Sequence, residues 1–200
     1  MATTPVGSSY RLPAWKRGMD LFLSGTLLIL CGPLFLLCWA AVRSTSAGPA
    51  WHWSRRVGKD NRLFGMPKFR TMCVHAPQVA THLLERPERY VTPVGALLRR
   101  TSLDELPQLF SVCRGDLTLV GPRPALFNQN DLVELRTRYG VHRLIPGITG
   151  WAQVNGRDDL SIPLKVGYDA EYMRAQSVGM DLKIMMLTLW RVIKAEGVRH

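Results

Sequence analysis

The stretch Arg99-Arg100-Thr101-Ser102-Leu103-Asp104-Glu105-Leu106-Pro107-Gln108 sets two adjacent carboxylates beside two arginines and ahead of a proline. Adjacent carboxylates repel unless something cationic neutralises them. The arginines, a metal ion or a phosphate-bearing ligand can each take part, and the combination suits chemistry on a charged phosphate group. A second reading needs no catalysis. Ser102-Leu103-Asp104-Glu105 has the form of a helix capping box, with acidic residues where the helix dipole favours them. Pro107 bears on the choice. A helix capped by Ser102 places that proline past its first turn. A helix starting near Asp104 holds it inside the first turn, where it is tolerated, and the exposed N–H groups then favour a bound phosphate.

Three further segments carry usable chemistry. In Val120-Gly121-Pro122-Arg123-Pro124, two prolines fix the backbone on either side of one arginine. A rigidly held guanidinium suits bidentate phosphate binding; a turn with a surface arginine is the plain alternative. Lys68-Phe69-Arg70-Thr71-Met72 puts two cations on one side of an expected strand and Phe69 on the other, as a solvated strand face also would. Residues 146–157, PGITGWAQVNGR, combine turn chemistry with polar side chains, and Asn155-Gly156 favours a tight turn. A structural loop accounts for most of that segment. The five histidines show no helical metal spacing, and the four cysteines, Cys31, Cys38, Cys73 and Cys113, lack the short spacing of a zinc site.

These residues need elements to position them. At 200 residues the chain is long enough for one domain with a core. A formal net charge of +11 attracts polyanions: nucleic acid, anionic lipid or phosphorylated substrate. The 46% hydrophobic content is high for a chain this basic, and the apolar residues concentrate near the N-terminus. Leu21 to Val42 carries no charge; about 22 residues at ~1.5 Å each reach across a hydrocarbon core. A signal peptide fits less well, because Cys38-Trp39-Ala40-Ala41 is a poor cleavage site and the run exceeds a usual apolar region. Basic residues flank both ends: Arg11, Lys16 and Arg17 before, Arg43, Arg55, Arg56 and Lys59 after. A simple span sends one set to the wrong side. Gly32-Pro33 falls mid-run, and a proline kink there can return the chain to the face it came from. An ordinary span with a tolerated proline remains the alternative.

Elsewhere the pattern predicts a hairpin over Trp51 to Phe69, turning at Gly58-Lys59-Asp60-Asn61. After the hairpin, Pro77, Pro87 and Pro93 break the chain into short helices and loops; a turn is expected at Arg114-Gly115-Asp116 and a helix over Asp131 to Tyr139. Asp169 to Glu196 reads as one long helix with Gly179 as its weak point. Leu182, Met185, Met186, Leu189, Trp190 and Ile193 form its apolar stripe, accompanied by Lys183, Arg191 and Lys194. Such a helix suits an anionic membrane surface; a core helix with a solvated basic face fits equally.

Taken together, Lys16-Arg17 with Asp20, the proline-broken apolar helix, Arg56-Val57-Gly58, KFRTM, RRTSLDELPQL, VGPRP and PGITGWAQVNGR resemble one family. The chain is similar to the bacterial sugar transferases that are polyprenyl-phosphate hexose-1-phosphate transferases, or monotopic phosphoglycosyl transferases, in their compact form. The resemblance implies a helix-rich α/β (α+β) fold: a flexible leader over 1–15, a re-entrant membrane helix over 16–46 bent at Pro33, and a cytoplasmic catalytic domain over 47–200 with a small β-hairpin and interfacial amphipathic helices. It implies transfer of a sugar 1-phosphate from a nucleotide sugar, UDP-linked by expectation, to polyprenyl (undecaprenyl) phosphate, initiating surface polysaccharide or glycoconjugate synthesis. Asp104 and Glu105 fall on the family's catalytic dyad, Asp104 as nucleophile and Glu105 as ligand of Mg²⁺. Lys68, Arg70, Arg99, Arg123, Gln153 and Arg157 fall on substrate-binding positions. The implied setting is the bacterial inner membrane, with nucleotide sugar, polyprenyl phosphate, membrane lipid and downstream glycosyltransferases as partners and no nucleic acid. The rival suggested by the charge is a membrane-anchored binder of nucleic acid or anionic polymer.

Overall fold

The computed structural model describes residues 10–76, 89–156 and 159–194. Residues 1–9 of the expected leader, Pro77, Pro87, Arg157 and Glu196 lie outside them. The architecture is helix-rich with two small two-stranded sheets, in line with the expected class. Helices α1 (Ala14–Leu30) and α2 (Gly32–Thr45) come first, followed by the antiparallel hairpin of β1 (Trp51–Val57) and β2 (Leu63–Phe69). Next come α3 (Pro93–Arg100), α4 (Gln108–Arg114), β3 (Thr118–Val120), α5 (Asn130–Arg138) and β4 (Gly147–Thr149), then α6 (Ile162–Ala175) and α7 (Val178–Ile193).

Among the described residues no single helix is long and apolar enough to cross a membrane. Helices α1 and α2 pass that test only as a pair, bent by 63° at Cys31. Pro33 sits in the first turn of α2, where its missing N–H withholds one hydrogen bond from the preceding helix. The burial of α1 is inverted. Its apolar residues are exposed, with Ile29 at 80% and Phe22 at 73%, while Lys16, Asp20 and Ser24 are buried. Those three recur at four-residue steps and so share one face. Lys16 pairs with Asp181 of α7. Asp20 accepts from the Thr118 hydroxyl and, at 3.0 Å, from the Leu119 N–H. The Ser24 hydroxyl lies 3.4 Å from the Cys113 sulfur. Beside them, Arg17 donates to the Val112 and Cys113 carbonyls at the end of α4, where helix carbonyls lack partners. The Lys16-Arg17 pair, expected only as a basic flank, is therefore part of a polar seam.

The hairpin follows the expected turn. Asp60 and Asn61 adopt φ of 53° and 60°, a region that Asp and Asn enter more readily than most residues. Strands β3 and β4 were not legible as strands. They are three residues each and pair in parallel with Thr118 opposite Gly147; β3 is buried under α1 and α7, while β4 packs on α7 with only Gly147 fully buried. Their approach depends on glycine. A Cβ at Gly147 would fall 2.1 Å from the Gly121 nitrogen, and one at Gly150 2.1 Å from the Gly121 oxygen. The core beneath is built from Met66, Leu109, Val112, Leu117, Val120 and Ile184, with Tyr172 donating to the Val120 carbonyl.

The long C-terminal helix is corrected. It is two helices, broken at Gln176 and Ser177 rather than at Gly179, and the first begins at Ile162. The Ser177 side chain caps α7 by accepting from the Met180 N–H. The expected apolar stripe faces outward at Leu182, Met186, Leu189 and Trp190 and is half-buried at Met185, while the fully buried apolar residue of α7 is Ile184, which lies outside that stripe.

Two stability effects follow. Gly147→Ala or Gly150→Ala lowers stability by about 1–3 kcal/mol through overpacking. Gly167→Ala, in the interior of α6 with nothing within 4 Å of a new Cβ, raises it by about 0.5–1 kcal/mol. Thermal melts in detergent rank the three; equal melting points would contradict the glycine argument. Lys16→Met leaves Asp181 buried and unpaired and costs about 3–5 kcal/mol. Adding Asp181→Asn recovers part of that loss in the same melts.

Candidate active site

Asp104 and Glu105 sit on a single 3₁₀ turn, Leu103–Glu105, between α3 and α4. Ser102 enters it with φ of 57° and makes no side-chain cap, so the capping-box reading fails. The α-helix does not begin at Asp104 either; it begins at Gln108, directly after Pro107. The N–H groups of Glu105 and Leu106 bond to carbonyls three residues back and are not aimed at a ligand. What the turn provides is direction. Leu103 and Leu106 pack into the apolar cluster around Phe69 and Leu98, anchoring the two ends of the turn.

Three cations converge from three elements. The Lys68 Nζ, near the end of β2, is 2.7 Å from Glu105 Oε1 and 3.9 Å from Asp104 Oδ2. The Arg123 guanidinium approaches Glu105 with two nitrogens, Nη2 at 2.6 Å from Oε1 and Nη1 at 3.4 Å from Oε2. Arg99, in the last turn of α3, donates Nε–H to the Thr71 hydroxyl at 2.8 Å and adds its field at Asp104. The two carboxylates end up unlike each other. Burial raises the Glu105 pKa, but Arg123 and then Lys68 outweigh it and hold the group well below the usual carboxylate range. Burial pushes Asp104 up to about 6, against the pull of Lys68 and with a further push from the Glu105 charge. Among the described residues no group donates a hydrogen bond to the Asp104 carboxylate. Glu105 is clamped, and Asp104 keeps its lone pairs.

Other expected site residues stand apart. Arg70 lies just beyond the end of β2, so strand alternation does not carry it to the side of Lys68. Its Nη2 donates to the Ser46 carbonyl at 3.0 Å and hydroxyl at 2.7 Å, at the end of α2. Gln153 reaches the border of the site: its Nε2 donates at 3.4 Å to the Ile148 carbonyl, which also receives Arg123 Nη1 at 3.3 Å. Pro33 lies at the bend between α1 and α2.

The loop that carries Arg123 is held along its length. The Pro122 carbonyl accepts from the Gly147 N–H at 2.9 Å and the Arg123 carbonyl from Arg136 Nη1 at 2.8 Å. The Pro124 carbonyl accepts from Arg56 Nη1 at 3.2 Å and the Ala125 carbonyl from the Val57 N–H at 2.9 Å. The two prolines indicated rigidity; the four successive partners, from strands β1 and β4 and helix α5, were not legible. Thr71 was also missed as an orienting group, although it stands inside the KFRTM segment.

Among the described residues no group of three or more His, Cys, Asp or Glu converges as a metal cage. A pair of adjacent carboxylates nevertheless fits Mg²⁺, which takes one or two of them and completes its octahedron with substrate phosphates and water. Glu105 Oε2 has only the long 3.4 Å contact and retains capacity for a hard cation.

Sequence comparison places this site among known proteins. The chain is 42% identical over 191 residues to an undecaprenyl-phosphate glucose phosphotransferase of Komagataeibacter xylinus, covering 89% of this chain and 36% of that protein. It is 39% identical over 196 residues to the UDP-glucose:undecaprenyl-phosphate glucose-1-phosphate transferase of Escherichia coli, covering 94% and 42%. The chain thus spans well under half of these two relatives. An exopolysaccharide production protein of Rhizobium meliloti is 35% identical over 198 residues, and there the match takes in 91% of this chain and 87% of the relative. Residues 11–195 match the family model described as bacterial sugar transferase, from α1 through α7 and across every segment of the site, and the chain belongs to that family.

Proposed function

We propose that this protein transfers a sugar 1-phosphate from a UDP-sugar to undecaprenyl phosphate, giving undecaprenyl-diphosphate-sugar and UMP, at the membrane surface. The observation that carries the reading is the asymmetry of the dyad: a buried carboxylate with unshared lone pairs next to one clamped by two cations. The relatives' names supply the substrate classes, a UDP-sugar and undecaprenyl phosphate.

Asp104 attacks the phosphorus that bears the sugar. A bond forms between its carboxylate oxygen and that phosphorus, and the bridging bond to the nucleotide breaks, so UMP leaves with the electron pair. An oxygen of undecaprenyl phosphate then attacks the same phosphorus and expels the Asp104 carboxylate. Lys68, Arg99 and Arg123 neutralise the diphosphate and bind it, Arg123 in the bidentate manner that a fixed guanidinium allows. Mg²⁺, held by Glu105 together with substrate phosphate oxygens, would supply further neutralisation of the developing charge. Burial of Asp104 limits competition from water for the covalent intermediate.

The outward apolar faces of α1, α2 and α7 support burial of these surfaces in lipid, with the bend at Cys31–Pro33 returning the chain to the side it left. That arrangement brings a membrane-embedded acceptor and a soluble donor to one site on the cytoplasmic face of the inner membrane. The product starts a surface polysaccharide, as the Rhizobium meliloti relative's name suggests.

Detergent-solubilised protein incubated with UDP-glucose, UDP-galactose or UDP-N-acetylgalactosamine, Mg²⁺ and undecaprenyl phosphate releases UMP with at least one donor. Asp104→Asn lowers that rate by about 10³-fold or more. A phosphosugar adduct accumulates on the unsubstituted protein without acceptor and is absent from the variant. Wild-type turnover in Asp104→Asn sinks the mechanism. In a cysteine-free background, Arg11→Cys and Ala47→Cys are labelled from the same side of sealed vesicles. Labelling from opposite sides would mean a true span.

A further inference from the structure

Arg136 of α5 and Asp169 of α6 form an ion pair inside the domain, 8% and 1% exposed. Arg136 Nη2 and Nε both donate to Asp169 Oδ2, at 2.7 and 3.0 Å. An apolar pair of similar volume generally packs two helices at least as stably as a buried ion pair. Apolar packing is already present here, in the cluster of Ala125, Leu132 and Val166. The ion pair does something that packing cannot. With two nitrogens committed to Asp169, Arg136 presents its third, Nη1, to the backbone carbonyl of Arg123 at 2.8 Å.

We propose that Arg136, oriented by Asp169, is a positioning residue that fixes the Arg123 backbone so that its guanidinium meets Glu105 and the donor phosphates. The line of contact is continuous: Asp169 holds Arg136, Arg136 holds the Arg123 carbonyl, and the Arg123 side chain holds Glu105. The guanidinium fork is essential, because only a planar group with several fixed donors serves a carboxylate and a carbonyl at set angles. Lysine keeps the charge against Asp169 but loses that geometry. Neither Arg136 nor Asp169 touches the dyad, and neither belongs to the motifs that carry the family resemblance.

The inference rests on the reading of Arg123 as a phosphate ligand, and the test separates the two. UMP release is measured on the full chain in detergent with the three UDP-sugars above, Mg²⁺ and undecaprenyl phosphate, using the best donor for kcat and KM. Arg136→Lys keeps the melting point within a few degrees of the unsubstituted protein and lowers kcat about 10-fold or more, the scale of a small misplacement of a catalytic group. Arg136→Met with Asp169→Leu removes both charges together, leaves neither unpaired, and shows the same kcat loss. In an Arg123→Ala background neither replacement lowers kcat further by more than about twofold, because its effect passes through the missing side chain. An equal kcat loss in both backgrounds overturns the proposal, since Arg136 would then act independently of Arg123. So does unchanged kcat in Arg136→Lys and in the charge-free pair. Full activity of Arg123→Ala alone overturns the reading of Arg123 itself, and the proposal with it.

Discussion

Two carboxylates on consecutive residues of a half-buried turn cannot both stay ionised without cations, and this chain draws its cations from distant parts of the sequence. Lys68 comes from the hairpin, Arg99 from the end of α3, and Arg123 from the loop after β3. Each arrives on an element whose placement is fixed independently of the site. The hairpin is set by its register, α3 by the Thr92 cap and the close contact of Gly95 with Thr71, and the Arg123 loop by four successive carbonyl partners. Preorganised charge of this kind needs little rearrangement when a substrate binds. It also divides the pair, since one carboxylate receives the cations directly and the other keeps its oxygens unshared.

The second organising feature is the inverted α1. A helix with Lys, Asp and Ser inside and Phe, Ile and Leu outside is unstable packing for water and suitable packing for lipid. Its polar stripe reaches the C-terminal end of α4, the start of β3 and the first turn of α7. Helix α1 therefore grips the same elements that frame the Asp104-Glu105 turn and the Arg123 loop.

Local chemistry was legible in the sequence, and tertiary partners were not. The Asp60-Asn61 turn, the Gly115 helix end and the 131–139 helix follow from residue types that favour few backbone conformations. The dyad, Lys68, Arg99 and Arg123 were likewise marked by motif. Strands β3 and β4 escaped because three residues are too few to show a period, and their pairing depends on glycines that read as turn signals. The choice between capping box and site stayed open in the sequence because a left-handed Ser102 cannot be inferred from its neighbours. Arg70 was misplaced because alternation was extended one residue beyond the strand. The spacing of Lys16, Asp20 and Ser24 did hold a signal, a polar stripe at four-residue steps leading into an apolar helix.

That stripe has a consequence for how the protein is made. Asp20 waits for Thr118, 98 residues later, and Lys16 for Asp181, 165 residues later. At ~5–20 residues per second of synthesis, α1 waits seconds to tens of seconds before the partners of its charged groups are made. During that interval it is a short apolar helix whose polar side lacks the partners that hold it in the folded protein. Emergence of α7 supplies the last of those partners. The order of translation thus delays fixation of α1 until the elements that frame the Asp104-Glu105 turn and the Arg123 loop exist.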